Sequence, residues 1–189
     1  MLLAGFAVQS GSLRSGARQI SSIHVPGDFL DLHGFSLKVL DHSVTGLTQC
    51  TVAFIEHGIL RDLMAEEPHI ARMILALAAI DGASQRHRQL SLGRREPIAR
   101  LAYMICELHL RLGIVGLAGE RSFEFPATQE DLADLLGLSV VHTNRTLQKL
   151  RATGLISWRN PEIVIHDWDG LSDLAEFDPT YLCLSSAPR

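Results

Sequence analysis

Cysteine is scarce in this chain and badly placed for bridging or metal binding. It occurs three times in 189 residues, at Cys50, Cys106 and Cys183, with no CxxC pair. That spacing offers no disulfide framework, no zinc finger and no iron–sulfur ligand set, and three separated thiols suit a reducing cytoplasm. Cys50, in an apolar run, and Cys106, on a helical stripe, read as core thiols. Long apolar runs are also missing. None approaches the roughly 18–20 residues a membrane span requires, and the apolar start at 1–8 is short, has no basic leader and runs into Gly and Ser. A soluble, cytoplasmic protein with no membrane partner is expected. Nor is there a Gly-rich phosphate loop, a nucleophile elbow, an HExxH motif or a close carboxylate pair, so no enzyme is expected. The nine histidines, His24, His33, His42 and His57 among them, lack tight ligand spacing. They read as structural or solvated residues, and no metal is expected.

Acid is absent where it matters most. Overall, 17 basic residues face 21 acidic ones for a formal charge of −4, a balance unlike that of a nucleic-acid binder. From Ser139 to Arg159, however, no acidic residue occurs, while Arg145, Lys149, Arg151 and Arg159 are basic. The acids sit on either side, at Glu130, Asp131 and Asp134, and from Glu162 to Asp178. A local positive stripe is enough to meet phosphates.

What the chain does contain is a clear change of period. Residues 1–55 read as β, with apolar runs at Leu2–Val8, Ile20–Val25, Leu37–Leu40 and Thr51–Ile55 between turn-rich pieces at Gln9–Ser12, Arg14–Gly16, Pro26–Asp28 and Thr45–Gly46. That is too little for an independent barrel and reads as part of a larger β domain whose N-terminal portion is absent. From Ile59 the pattern is helical. Glu66-Glu67-Pro68 opens a helix whose stripe runs through Ile70, Met73, Ile74 and Leu77 and turns polar towards Leu90. Gly93 is read as an interruption, and Arg94-Arg95-Glu96-Pro97 opens a second helix that ends near Gly113. Arg86-His87-Arg88 and Arg94-Arg95 read as solvated faces.

The segment 128–150 reads as two helices joined by a tight turn at Gly137. Leu132, Ala133, Leu135 and Leu136 form the apolar face of the first, and Ser139 caps the second. Thr146, Leu147 and Leu150 anchor that second helix, leaving Val140, Val141, Thr143, Asn144 and Arg145 directed outward. A helix held in this way enters a DNA major groove with its N-terminal residues against base edges. Strands at 155–159 and 162–166 around Asn160-Pro161 add a wing.

Three places in this order of elements carry a resemblance to the Crp/Fnr family of bacterial transcription regulators. They are Val25-Pro26-Gly27-Asp28-Phe29, the helix from Pro68 to about Leu92, and Thr128 to Leu155 with its Leu-Ala-Asp-Leu-Leu-Gly-Leu-Ser core. The resemblance implies an α+β fold. Its parts are a partial cyclic-nucleotide-binding-like β-roll at 1–57, a helical dimerisation segment at 58–92, a winged helix-turn-helix DNA-binding domain at 93–168 and a tail at 169–189. It implies a homodimer paired through Ile70, Met73, Ile74 and Leu77, a palindromic promoter site in double-stranded DNA, and RNA polymerase as a partner. It places Arg145 at a base-reading position, where its fork suits guanine O6/N7. Thr128, Gln129, Ser139 and His142 fall at backbone-contacting positions, with Arg159 near phosphates at the wing.

Two departures from the family pattern sharpen these expectations. Val140 and Val141 stand where the cyclic-AMP receptor often carries Arg-Glu; valine touches a thymine methyl but makes no bidentate bond, so a different operator follows. Asn144 can compensate on adenine N6/N7. In the ligand region, Asp28-Phe29-Leu30-Asp31-Leu32-His33-Gly34 lacks the Glu and Arg that hold ribose and phosphate, and Lys38 is the one cation between it and Ile55. An anionic cyclic phosphate needs a cationic partner or a nest of amides, so no cyclic-nucleotide cofactor is expected. Two alternatives stay open: a DNA-binding remnant whose sensor does not function, and a small-molecule or redox-sensing regulator acting through the β-roll.

Overall fold

The computed structural model describes residues 1–37 and 39–184; Lys38 and the C-terminal end at 185–189 lie outside the described residues. The N-terminal third holds five short strands: β1 (Leu2–Ala4), β2 (Ala7–Ser12), β3 (Arg18–His24), β4 (Ser43–Gly46) and β5 (Thr51–Val52). β2 pairs antiparallel with both β3 and β4, and β1 pairs with β5. Val8, Ile20, Ile23 and Val25 are buried; burial does not strictly alternate along β3, where Ser22, Ile23 and His24 are buried in succession beyond a register shift at Gln9/Ser10 of β2.

The strand boundaries differ from the sequence expectation: the run Leu2–Val8 is split between β1 and β2, Thr51–Ile55 shortens to β5, and three further places change. Gln9–Ser12 is the second half of β2, because Ser10, Gly11 and Ser12 pair with Ile20, Gln19 and Arg18 and move the turn to residues 13–17. Leu37–Leu40 is not a strand among its described residues; a 3-10 turn over Leu32–Phe35 precedes it, and Val39 is exposed. The strand there is β4, at Thr45–Gly46 and the two residues before it, held by cross-strand bonds to β2 rather than by its own apolar content. Cys50 precedes β5 and is half-buried, its thiol donating to the Phe6 carbonyl at 3.2 Å, whereas Cys106 is fully buried as expected.

Six helices follow: α1 (His57–Glu66), α2 (Pro68–Arg94), α3 (Pro97–Ile114), α4 (Gln129–Leu136), α5 (Val140–Ala152) and α6 (Trp168–Ala175). Gly93 does not interrupt α2, which runs through it to Arg94. The break falls at Arg95 and Glu96, both extended (ψ 141° and 148°); Glu96, directly before Pro97, is pushed out of the α region by the proline ring. α2 buries little: Ser84 and Ser91 are its buried residues, Ile70 and Ile74 are half-buried, and Met73 and Leu77 are 57 % and 43 % exposed.

α3 is the opposite case and forms the spine of the core. Leu101, Ile105, Leu108 and Leu112 are buried on it, against the β2–β3 hairpin on one side and the C-terminal elements on the other. A three-stranded antiparallel sheet, β6 (Ser122–Glu124), β8 (Glu162–Ile165) and β7 (Ile156–Arg159), forms the wing. Phe123 lies in β6, paired with Ile163 of β8. In the segment read as the tail, Leu171, Ala175, Phe177 and Leu182 belong to the same core as α3.

A buried charge cluster ties these parts together. Glu107, in α3, accepts from Arg88 of α2 at 2.8 Å, from Arg111 at 3.2 Å and from the Tyr181 hydroxyl at 2.7 Å. Arg111 also reaches Asp28, in the turn after β3, at 2.5 Å. Arg88 and Arg95 are thus not solvated as expected: Arg95 lies 4.2 Å over the Tyr103 ring and donates to the carbonyls of Ala175 and Glu176, while Arg86 and Arg94 remain exposed. Buried guanidinium groups need such partners, since an unpaired buried charge costs several kcal/mol.

Candidate nucleic-acid interface

α4 and α5 are built as their residues require. Thr128 caps α4 in a reciprocal box: the Asp131 amide donates to Thr128 Oγ1 at 3.1 Å, and the Thr128 amide to Asp131 Oδ2 at 3.2 Å. A cap of this kind is worth about 1 kcal/mol. α4 ends at Gly137 with φ +63°, a left-handed conformation that strains any residue with a Cβ. Ser139 Oγ then accepts from the His142 amide at 3.3 Å and starts α5.

The buried side of α5 carries Thr143, Thr146, Leu147 and Leu150; the other side presents Val140, Val141, His142, Arg145 and Lys149 to solvent. Thr143 corrects the sequence expectation. It was placed outward with its neighbours, but it is 1 % exposed and its Oγ1 has no hydrogen-bond partner, so it cannot reach a base. The reason is helical geometry: Thr143 sits three before Thr146 and four before Leu147, on the face that packs against α3 and α4. Arg151 is likewise not a free cation, since its guanidinium donates to the Trp158 carbonyl and fastens α5 to the wing. Arg159, at the end of β7, is exposed.

Asn144 is half-buried, and its Nδ2 donates to Gln129 Oε1 at 2.9 Å. Thr128, Gln129, Ser139, Val140, Val141, His142 and Arg145 are exposed, and the Asn144–Gln129 bond joins α5 to the start of α4. Thr143 is the buried residue of the expected set.

Sequence reasoning missed how this surface is held from the β region. Arg18, in β3, pairs with Asp131 at 2.7 Å and with Asp134 at 2.6 Å, and Gln19 Nε2 donates to the Asp134 carbonyl at 2.5 Å. From α3, Arg100 donates to the Leu136 and Leu92 carbonyls. Asp131 is held below the ordinary aspartate range: burial opposes this, but the Thr128 and Arg18 hydrogen bonds outweigh it. No local pattern marks Arg18, whose partners lie 113 and 116 residues away.

A second feature lies against the Pro26-Gly27 turn, where Gly27 has φ +97°. A cavity of about 300 Å³ opens between the β region, α2 and α3, with His24, Asp28, His33, Asp81, Arg88 and Arg111 among its walls. Lys38, the cation expected here, lies outside the described residues. The two arginines come from distant helices, and both are bonded to carboxylates. His24 Nε2 is buried there without a partner. Among the described residues, no group of three or more His, Cys, Asp or Glu gathers as a metal site, and no helix is long and apolar enough to cross a membrane.

Comparison with known proteins fits this geometry. Residues 99–174 match the Crp-like helix-turn-helix domain. The chain is 29 % identical over 185 residues to the anaerobic regulatory protein of Haemophilus influenzae, covering 95 % of this chain and 72 % of that relative. It is 26 % identical over 167 residues to the transcriptional activator protein FnrL of Cereibacter sphaeroides, covering 87 % and 66 %. In structure it resembles FixK2 from Bradyrhizobium japonicum, with a TM-score of 0.81 at 24 % identity, covering 92 % of this chain and 85 % of that one. That last likeness speaks to the fold.

Proposed function

We propose that the chain, which carries a Crp-like helix-turn-helix domain and is similar over most of its length to Fnr-type transcription regulators, binds a palindromic promoter site in double-stranded DNA as a homodimer and alters the recruitment of RNA polymerase there. On this reading its output is DNA occupancy in the cytoplasm rather than catalysis. The observation that carries the reading is α5: a Ser-capped helix anchored from behind by Thr146, Leu147 and Leu150, with Val140, Val141 and Arg145 exposed along an acid-free stretch. Arg145 suits guanine, and the valines suit thymine methyl groups.

The uncovered apolar surface of α2 supports the dimer. Met73 and Leu77 face solvent in the single chain, with Ile70 and Ile74 half-buried beside them. Pairing two such helices would cover that surface and set two recognition helices about 34–36 Å apart.

For the input side, the cavity against Asp28 favours a β region that takes a small molecule over a remnant that senses nothing. A cyclic nucleotide does not suit it. Arg88 and Arg111 are already paired with Glu107 and Asp28, and Asp81 adds a further carboxylate to the wall. Titration with cyclic AMP and cyclic GMP is expected to give no heat at micromolar protein.

The main reading is tested by selecting bound sequences from a random duplex pool. Enrichment of a two-fold symmetric sequence with half-sites about 10–10.5 bp apart is expected. Enrichment of unsymmetric sequences, or none, overturns it.

A further inference from the structure

The bond between Asn144 and Gln129 joins an outward position on α5 to a position on α4 that the family resemblance implies is a DNA-backbone contact. We propose that Gln129 is a positioning residue that fixes the amide of Asn144 for reading adenine, and so sets the preference for one A·T pair in each half-site. This rests on the DNA-binding reading above.

The argument starts from the carboxamide. Asn144 has one acceptor, Oδ1, and two N–H donors on Nδ2. Reading adenine in the major groove uses Oδ1 towards N6 and one N–H towards N7. The second N–H is left over, and Gln129 Oε1 takes it up at 2.9 Å. An unassisted Asn amide can turn over, exchanging donor and acceptor and losing the adenine match. Turning the Asn144 amide alone would set its Oδ1 against Gln129 Oε1, two acceptors face to face, so Asn144 can turn only if Gln129 turns with it; the observed pairing is the one that leaves Oδ1 and an N–H free in the adenine-reading arrangement.

Gln129 is itself well placed to impose this. It is the first residue of α4, directly after the Thr128 cap, and the capping box fixes that turn. Asp131, two residues on, is gripped by Arg18 of β3. The reading amide is therefore held through the Thr128–Asp131 turn to the β region. Val140 and Val141, which open the helix, have no hydrogen-bonding side chain and cannot take over this amide's role.

The test uses the full chain and compares selected sequences for wild type, Gln129→Ala, Gln129→Glu, Asn144→Ala and the double alanine variant. Gln129 is exposed, so thermal melting of Gln129→Ala should match wild type. Asn144→Ala is expected to lose roughly five- to 150-fold preference at one base pair per half-site. Gln129→Ala should lose about two- to tenfold at that same pair, with other positions unchanged, and the double variant should lose no more selectivity than Asn144→Ala. Gln129→Glu keeps an acceptor oxygen and should keep the preference while binding all sequences more weakly, through repulsion from phosphates. If Gln129→Ala weakens every sequence by one factor and leaves the preference intact, Gln129 is a backbone contact only and the inference is overturned. A wild-type protein with no preferred sequence overturns the DNA-binding reading, and this inference with it.

Discussion

The Tyr181 hydroxyl donates to Glu107 Oε2 at 2.7 Å across 74 residues of sequence. It closes a cluster in which Arg88 and Arg111 hold the other carboxylate oxygen and Arg111 extends to Asp28. One carboxylate thus joins α2, α3, the turn of the β region and the C-terminal 3-10 turn at Pro179–Leu182. The first prediction concerns its removal. Glu107→Gln keeps the shape but leaves two buried guanidinium groups short of their counter-charge, and breaking a buried pair costs about 3–5 kcal/mol. Tyr181→Phe removes one hydrogen bond to a charged acceptor, about 1.5–3 kcal/mol. Urea unfolding followed by circular dichroism should rank them in that order. Equal and negligible losses would mean the cluster does not hold the domains together.

The same cluster makes stability depend on acid. Burial alone would raise the Glu107 carboxyl, but Arg88, Arg111 and the Tyr181 hydroxyl reverse this and hold it at about 2, against an ordinary 4.5. Asp28 is lowered in the same direction: burial opposes, while His24 and Arg111 outweigh it. A carboxyl with a depressed folded value contributes stability that is fully present above its unfolded value and lost as pH falls through the folded one. The Glu107 contribution should therefore be complete above about pH 4.5 and fall away between there and pH 2. Urea midpoints measured across that window should drop more steeply for wild type than for Glu107→Gln. Parallel slopes would show that Glu107 does not titrate in this way.

Much of the fold was legible because its signals are local. Gly137, the Ser139 cap and the Leu132–Leu136 face each lie within a few residues of their partners; the Thr128–Asp131 box, equally local, went unread. β4 and the true end of β2 were not legible, since both depend on cross-strand pairing with residues far along the chain. The site divides in the same way. Arg145 and the two valines follow from helix position alone, whereas Arg18, Arg88 and Arg111 look like any surface arginine until the fold brings Asp131, Glu107 and Asp28 to them.

Thr143 is where a local reading and the fold part, and it gives a sharp test. Its hydroxyl is buried without a partner, and an unsatisfied buried polar group costs about 1–3 kcal/mol. Valine has the same shape without that group. Thr143→Val should raise stability by about 1 kcal/mol, seen as a higher urea midpoint, and leave the selected DNA sequence as it is. A changed base preference in this variant would return Thr143 to the reading surface.

Arg145 carries the opposite expectation. It is exposed on α5, and among the described residues it makes no hydrogen bond or ion pair, so nothing in the fold depends on it. Arg145→Ala should leave unfolding unchanged within about 0.5 kcal/mol. If its guanidinium reads guanine O6 and N7, the variant loses about 1–3 kcal/mol of discrimination at one base pair of each half-site. If it meets phosphate alone, binding weakens for every sequence alike and the salt dependence falls by about one ion per half-site. Affinities for matched and single-substituted duplexes at two salt concentrations separate these outcomes. An unchanged preference would remove Arg145 from base reading and leave Asn144 and the valines to account for sequence choice.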